Sequence, residues 1–452
     1  MTSQELDAKY QKNLTAAINK MKKAKVDSTA IKVFANQYQA LASGATGIIR
    51  EDDILPLKNL PKLTDLKVDE KHARSALEKT AVIKLNGGLG TSMGLDKVKT
   101  LLPICDGKNF LDIMIEQILD TRRKTNARLP LIFMNSFRTQ QDTFDYIEKY
   151  PELPVDDLPL DFFQNSNPKL LSEDLAPVVW SDNKELEWNP PGHGDIYPAL
   201  WGSGILEKLI EQGFEFAFIS NGDNLGAVAD AKIAGWLSEN NIPFAMEVCE
   251  RSINDRKGGH LAIRKSDERV ILRESSQTLS DEMEFFTDET RHRFFNTNNI
   301  WVNLKHLHNV LSETEGALEL PFIRNVKNVD PSKPNSPEVV QLESAMGAAI
   351  EIFAGATAIE VPRARFMPVK TTNELLLMRS DVFEIGKDFI MVQKIRKLPK
   401  IELDSRYYKF INDFDKRFKT VPSLKDATSF RVEGEHIFDK PMKITGDAHI
   451  TD

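Results

Sequence analysis

The chain has 452 residues, with 59 Lys plus Arg against 67 Asp plus Glu and a formal net charge of -8. That length excludes a mini-protein, and the acidic balance argues against a nucleic-acid binder whose affinity rests on phosphate neutralisation. Hydrophobic residues at 41% and charged residues at 28% match a globular chain and exclude disordered or collagenous classes.

At the N-terminus, Leu6, Tyr10, Leu14, Ile18 and Met21 fall at helical spacing, with Thr2 and Glu5 placed as a capping box. A second helix is expected from Asp27 to Leu41, stopping at Gly44. Lys20, Lys22, Lys23 and Lys25 are taken as a solvated helix face. With the Leu-Pro pairs near 55–61, residues 1–75 are expected to form a helical N-terminal domain and linker. No basic leader followed by an apolar stretch is seen, and Glu351 interrupts the most apolar later run, so neither a signal peptide nor a membrane span is expected. Cys105 and Cys249 form no CxxC pair, which suits a reducing cytoplasm.

From Ala81 the texture changes to short β-rich runs: Ala81 to Leu85, Pro130 to Met134, Phe214 to Ser220, Phe244 to Cys249 and Ile300 to Leu304. Helical patterns alternate with them, which predicts an α/β domain on a mostly parallel sheet, spanning 76–395. In such sheets ligands bind at the carboxyl ends of strands, so the residues just after those runs are the candidates. Beyond 396, Val432, Phe438, Ile444 and Ile450 recur every six residues, the signature of a parallel β-helix. A short β-helix within a C-terminal domain, 396–452, is therefore expected, with an ordinary hairpin as the alternative because four units are few for a solenoid, and such a stub has exposed edges that a second copy can cover.

The strongest local signal is Lys84-Leu85-Asn86-Gly87-Gly88-Leu89-Gly90-Thr91-Ser92-Met93-Gly94. Four glycines after a strand let backbone approach a ligand and present amides to phosphate. A dinucleotide fingerprint fails because Met93 occupies the third glycine position, and a Walker A loop fails because Leu95-Asp96 follow Gly94. The lysines come later, at Lys97 and Lys99. Asp223 follows a strand at the ligand edge, where the residues alone leave it open between an Asx turn and a metal ligand.

At this loop the sequence resembles the eukaryotic-type UTP–glucose-1-phosphate uridylyltransferases. The same likeness extends in order through Met134-Asn135-Ser136-Phe137, Phe163-Gln164, Pro190-Pro191-Gly192-His193-Gly194-Asp195 and Ser220-Asn221-Gly222-Asp223-Asn224-Leu225-Gly226. It continues through Phe295-Asn296-Thr297-Asn298-Asn299, the stretch from Gln341 to Ala349, and the stretch from Arg363 to Thr372. The resemblance implies a Rossmann-like, GT-A-type central sheet and a C-terminal left-handed coil. It also implies magnesium-dependent transfer of UMP from UTP to glucose 1-phosphate, giving UDP-glucose and pyrophosphate.

What the resemblance further implies is a role for each matching residue. Lys370 is the catalytic lysine between the two phosphates, and Lys99 the lysine of the first loop, although Lys97-Val98 here replaces the family's usual Gly-Pro and leaves Lys97 a competitor. Asp223 holds the Mg2+ ion. Leu85, Asn86, Gly87, Gly88, Gln164, Gly192 and His193 meet the nucleotide, with Gln164 on the uracil edge and His193 a donor rather than a base. Asn221, Gly259, Glu274, Asn296 and Asn298 meet the sugar; any one of the asparagines taken alone reads as a loop-turn residue, and it is their agreement with the motif order that points to the sugar. Gly222 stands where the family usually has a β-branched residue, which is expected to loosen its loop. A UDP-sugar pyrophosphorylase of broader range, including galactose 1-phosphate, or a non-catalytic nucleotide-sugar-binding protein are the competing expectations. A monomer or small homo-oligomer through the C-terminal domain is expected, with no nucleic acid and no membrane partner.

Overall fold

The computed structural model describes residues 3–252 and 255–451. Its architecture is mixed α/β, with a central, mostly parallel sheet and helices. Contacts divide the chain into two interleaved units: Met1–Ala76, Asp161–Phe218 and Lys232–Val361 in the first, and Leu77–Leu160, Ile219–Ala231 and Pro362–Asp452 in the second. Among the described residues no helix is long and apolar enough to cross a membrane.

In the first unit the helices Ser3–Lys23 and Ser28–Ala42 appear where the periodicity predicts them. Asp27 caps the second, accepting the Thr29 N–H at 2.8 Å, while the Thr2 capping position lies outside the described residues. Their apolar faces, from Leu14, Ala17, Met21, Phe34 and Tyr38, share one core cluster with Leu170, Leu175, Phe322, Val340 and Leu342. The helices therefore bury their stripe against strands from far along the chain. Lys20 does not belong to the solvated face, because its ammonium bonds Glu187 at 2.5 Å and the Val178 carbonyl; Lys22, Lys23 and Lys25 are exposed.

The strand Phe294–Asn303 organises the rest of this unit. It runs antiparallel to Phe244–Glu250, which in turn runs parallel to Thr357–Glu360. His260–Arg264 is paired antiparallel with Val270–Arg273 and with Ile54–Pro56. The expected strand from Ile300 to Leu304 thus begins six residues earlier, and Asn296 and Asn298 sit within a strand, not on a loop. The register shifts between Glu247 and Val248, which face Asn299 and Asn296, so Thr297 and Asn298 are extra residues on the bulged side. Asn298 takes φ 58°, a left-handed conformation that asparagine tolerates. Such a bulge turns side chains that strict alternation would hide.

In the second unit Thr80–Leu85 and Leu131–Asn135 are parallel neighbours, as predicted. Both are buried along nearly their whole length, the pattern of strands covered on two faces. Three parallel strands close the chain: Lys400–Leu403, Ser423–Val432 and Lys443–Ile450. Of the six-residue series, Val432, Phe438 and Ile444 are buried and Ile450 is half-buried. This segment reaches the lysine-bearing loops. Phe410 lies against Gly94, so close that a Cβ there would come within 2.8 Å of its ring, and Thr372 donates to the Tyr408 carbonyl at 2.7 Å.

Candidate functional site

The second unit holds the residues expected to meet the phosphates. The strand Thr80–Leu85 ends at Leu85, whose carbonyl accepts the Gly222 N–H at 2.9 Å. Beyond it Asn86 is buried, and its carboxamide donates to Asn135 at 2.8 Å and Thr143 at 2.9 Å while accepting from Thr100 at 2.6 Å. The donors and acceptor of the Asn86 side chain are thus engaged in holding the loop to the neighbouring strand. The Gly87 carbonyl accepts from Ser136 at 3.0 Å and the Gly88 carbonyl from the Lys99 N–H at 3.1 Å. The amides of Gly87 and Gly88 donate to no acceptor among the described residues, which leaves them for an anion.

Lys99 forms an ion pair with Asp223, both side chains less than one-fifth exposed. Lys97 points into solvent. Gly222 does not loosen this loop, because a Cβ would stand 2.9 Å from both the Leu85 carbonyl oxygen and the Thr100 methyl; the chain has closed into that space. Lys370 is exposed and has no hydrogen-bond partner among the described residues. It immediately precedes the helix Thr372–Arg379, whose N-cap Thr371 forms a capping box with Glu374. Asn221, at the end of the strand Phe216–Asn221, is half-buried beside this loop.

The first unit holds the remaining candidates in two groups. Gly259, Glu274, Asn296 and Asn298 come together. The Asn296 N–H donates to the Gly259 carbonyl at 2.9 Å, the Asn296 amide to Asn298 at 2.7 Å, and the Asn298 N–H returns a bond to Asn296 at 2.8 Å. The Glu274 carboxylate lies so near Gly259 that a Cβ would meet it at 2.5 Å, which explains the glycine. Behind this group Arg273 is fully buried between Glu51 at 2.5 Å and Glu282 at 2.6 Å, and Glu51 also meets Arg291 at 2.6 Å and His292 at 3.0 Å.

The second group surrounds His193. Gly192 takes φ 80°, and side chains at Gly192 or Gly194 would collide with Ser344, so both glycines allow the loop to nest on the segment that follows. The Met346 N–H donates to His193 Nδ1 at 2.8 Å. Burial pushes this imidazole down to about 4, so at neutral pH it is uncharged with its proton on Nε2, which leaves Nε2–H as a donor. Two residues on, Asp195 accepts both the backbone N–H of Asn165 at 2.6 Å and its side-chain amide at 3.0 Å. That pins the residue next to Gln164, whose own amide has no partner among the described residues. Burial pushes the Asp195 carboxyl up to about 7, the Asn165 bonds opposing and Asp27 adding to the rise.

The family model for UTP–glucose-1-phosphate uridylyltransferase matches residues 31–445. The chain belongs to this family. The banana (Musa acuminata) UTP–glucose-1-phosphate uridylyltransferase is 38% identical over 405 residues, covering 88% of this chain and 83% of its own. A UDP-glucose pyrophosphorylase from Leishmania major, solved in open and closed structures, is 42% identical with TM-score 0.91, covering 97% of this chain and 94% of its own. A variant of that enzyme solved in complex with UDP-glucose is 42% identical with TM-score 0.90 over the same shares.

As a uridylyltransferase-family chain, it shows three residues that motif spacing left without a role: Asn165, Asp195 and Asn224. All lie in or beside motifs quoted from the sequence. The signal available there was a buried-type position for a short amide or carboxylate beside glycine, which composition does not separate from an Asx turn.

Proposed function

We propose that this chain transfers UMP from UTP to glucose 1-phosphate, releasing pyrophosphate and forming UDP-glucose, and that the reaction runs in both directions. The observation that carries this reading is the Lys99–Asp223 ion pair beside the free Gly87 and Gly88 amides. A single carboxylate already matched to a cation suits magnesium, which takes one or two carboxylates and completes its shell with phosphate oxygens and water. Asp223 would hold the ion, and a bound ion would neutralise charge on the triphosphate.

The chain's own groups account for the rest. In-line attack of a sugar-phosphate oxygen on the α-phosphorus needs no covalent nucleophile, and the sugar phosphate is already ionised at neutral pH. The uncharged His193 therefore serves as an Nε2–H donor, not as a base. Lys370 stabilises the charge that develops on both phosphates, while Lys99 leaves Asp223 for the triphosphate. The Gln164 amide matches the paired acceptor and donor of the uracil edge. Glu274, Asn296 and Asn298, with Asn221, offer directional partners to sugar hydroxyls; Gly259 allows Glu274 its position.

We further read the sheet as Rossmann-like and of GT-A type, the C-terminal strands as a short left-handed β-helix, and the protein as a cytoplasmic monomer or small homo-oligomer. The test is pyrophosphate release from UTP and glucose 1-phosphate with magnesium, with Lys370→Ala and Asp223→Ala alongside. Strong release by the parent and collapse in both variants is expected. Release only with galactose 1-phosphate would move the assignment to a UDP-sugar pyrophosphorylase, and UDP-glucose binding without release from any sugar phosphate would leave a binding protein.

A further inference from the structure

Two segments of the second unit carry the residues assigned above to the phosphates, and they are more than 140 positions apart in the chain. Asp223 lies in the turn after the strand Phe216–Asn221, and Lys370 lies in the segment between Arg365 and Thr371. Neither side chain touches the other segment through a bond of its own. What joins the segments is the residue after Asp223. Asn224 is 1% exposed and pairs with Pro368 as an isolated antiparallel bridge. Its Nδ2 donates to the Arg365 carbonyl at 3.1 Å, and its Oδ1 accepts the Met367 N–H at 2.9 Å and the Gly226 N–H at 3.2 Å.

The surroundings show that this approach is built. Gly226 faces Ala364 and Arg365 with no room for a side chain, since a Cβ would stand 2.8 Å from the Arg365 carbonyl carbon. The Arg365 guanidinium returns across the same seam, donating to the Val228 carbonyl at 2.7 Å. Gln117 holds the turn from below through the Leu225 carbonyl at 3.1 Å. Only a carboxamide satisfies all three Asn224 bonds, because it carries a donor and a two-fold acceptor in one plane. Leucine has the shape and neither function; aspartate keeps the acceptors and loses the donor.

We infer that Asn224 is a positioning residue for uridylyl transfer, a clasp that sets the place of Lys370 relative to Asp223. The inference rests on the reading of those two residues given above. Loss of the clasp leaves both groups present and misplaced by a fraction of an ångström or more. Displacements of about 1 Å in a reacting constellation cost on the order of 10²-fold in rate. The bridging residue touches no substrate, so the loss belongs in kcat and not in affinity for the product.

The experiment compares the parent with Asn224→Ala and Asn224→Asp at saturating magnesium. It measures kcat and KM for glucose 1-phosphate, UDP-glucose affinity by calorimetry and the melting temperature. Expected for Asn224→Ala are a kcat about 10²-fold lower, with KM and UDP-glucose affinity within about threefold of the parent. Asn224→Asp, which keeps the Met367 and Gly226 bonds, is expected to lose about tenfold. A folded Asn224→Ala with kcat within about threefold of the parent overturns the inference, as does a kcat loss matched by an equal loss of UDP-glucose affinity. If Asn224→Ala does not fold, Asn224→Asp decides on the same readouts; if neither folds, the clasp is structural only and the inference fails. Asp223→Ala and Lys370→Ala separate the two levels: activity retained in them removes the parent reading, whereas their collapse beside an active Asn224→Ala removes this inference alone.

Discussion

Two clusters of opposite charge, one in each unit, show how differently burial can hold an ion pair. Around Arg273 the central charges are covered: the guanidinium is fully buried, the buried Glu51 meets three cationic or imidazole partners, of which only Arg291 is exposed, and the Glu51 N–H is itself bonded to Glu282 at 2.9 Å. Lys99 and Asp223 meet each other at a partly open loop, with side chains 18% and 17% exposed. The first network has nowhere to go and serves the fold beneath Gly259 and Glu274. The second keeps part of each side chain open to solvent, and the roles proposed for Asp223 and Lys99 require each charge to exchange its partner for a metal ion or a phosphate.

That difference predicts opposite responses to mutation. Asp223→Ala and Lys370→Ala are expected to lower the rate of pyrophosphate release by about 10²–10³-fold. Removing the partly exposed Lys99–Asp223 pair is expected to change stability by less than about 1 kcal/mol. Comparing rate with denaturant midpoint checks this, and a large stability loss without a rate loss would erase the contrast. Glu51→Gln should do the reverse, lowering stability by about 3–5 kcal/mol because Arg273 is left buried with one carboxylate. Within the loop, Lys99→Ala is expected to reduce the rate far more than Lys97→Ala, which steady-state kinetics on the two variants would sharpen or break.

Acid should find the permanent cluster first. His260 and His292 stack at 3.8 Å between ring centroids, and burial holds both below the ordinary histidine value; for His292, Glu51 opposes that burial. For His260, the neighbouring charges of His292, Arg251 and Arg273 add to the fall. Burial alone would raise the Glu51 carboxyl, yet His292 and Arg291 hold it below its ordinary value. Groups depressed in the folded state contribute stability above their unfolded values, about 6.5 for histidine and 4.3 for glutamate, and lose it as pH falls. His260→Gln is therefore expected to reduce the loss of stability between pH 7 and 5, measured by denaturant unfolding.

Asp195 has the opposite sign. Its carboxyl is raised to about 7, so its contribution is full below the ordinary aspartate value and disappears as pH rises through about 7. Asp195→Asn should stabilise the protein more at pH 8 than at pH 5, and an unchanged slope between those pH values would count against a buried proton there. The smallest expected effect is at His193. Because it titrates near 4, the rate profile should show no inflection from this ring between pH 6 and 9, and its appearance there would make it a base.

Much of the candidate site is legible because the chemistry proposed for it requires residue types in order. A glycine-rich turn after a strand, a carboxylate after another and a lysine before a capped helix can be recognised without coordinates, and they follow the strands at 80–85 and 216–221 and precede the helix Thr372–Arg379. What spacing hides is which polar groups face inward. Asn86 and Asn224 look like loop asparagines in sequence, but both are buried clasps. Asn296 and Asn298, each of which taken alone reads as a loop-turn residue, stand in a bulged strand, since a register shift depends on the partner strand and not on local preference.

The amino-acid order by itself determined the helices at the N-terminus, the α/β texture and the glycine-rich loop, because periodicity and turn chemistry act over a few residues. Only the tertiary structure decided that Lys99 pairs with Asp223, that Asn86 holds a loop and that Asn224 joins segments more than 140 residues apart. Those choices depend on burial and on hydrogen-bond partners supplied by distant chain, and a buried carboxamide takes whichever partners the fold brings within reach.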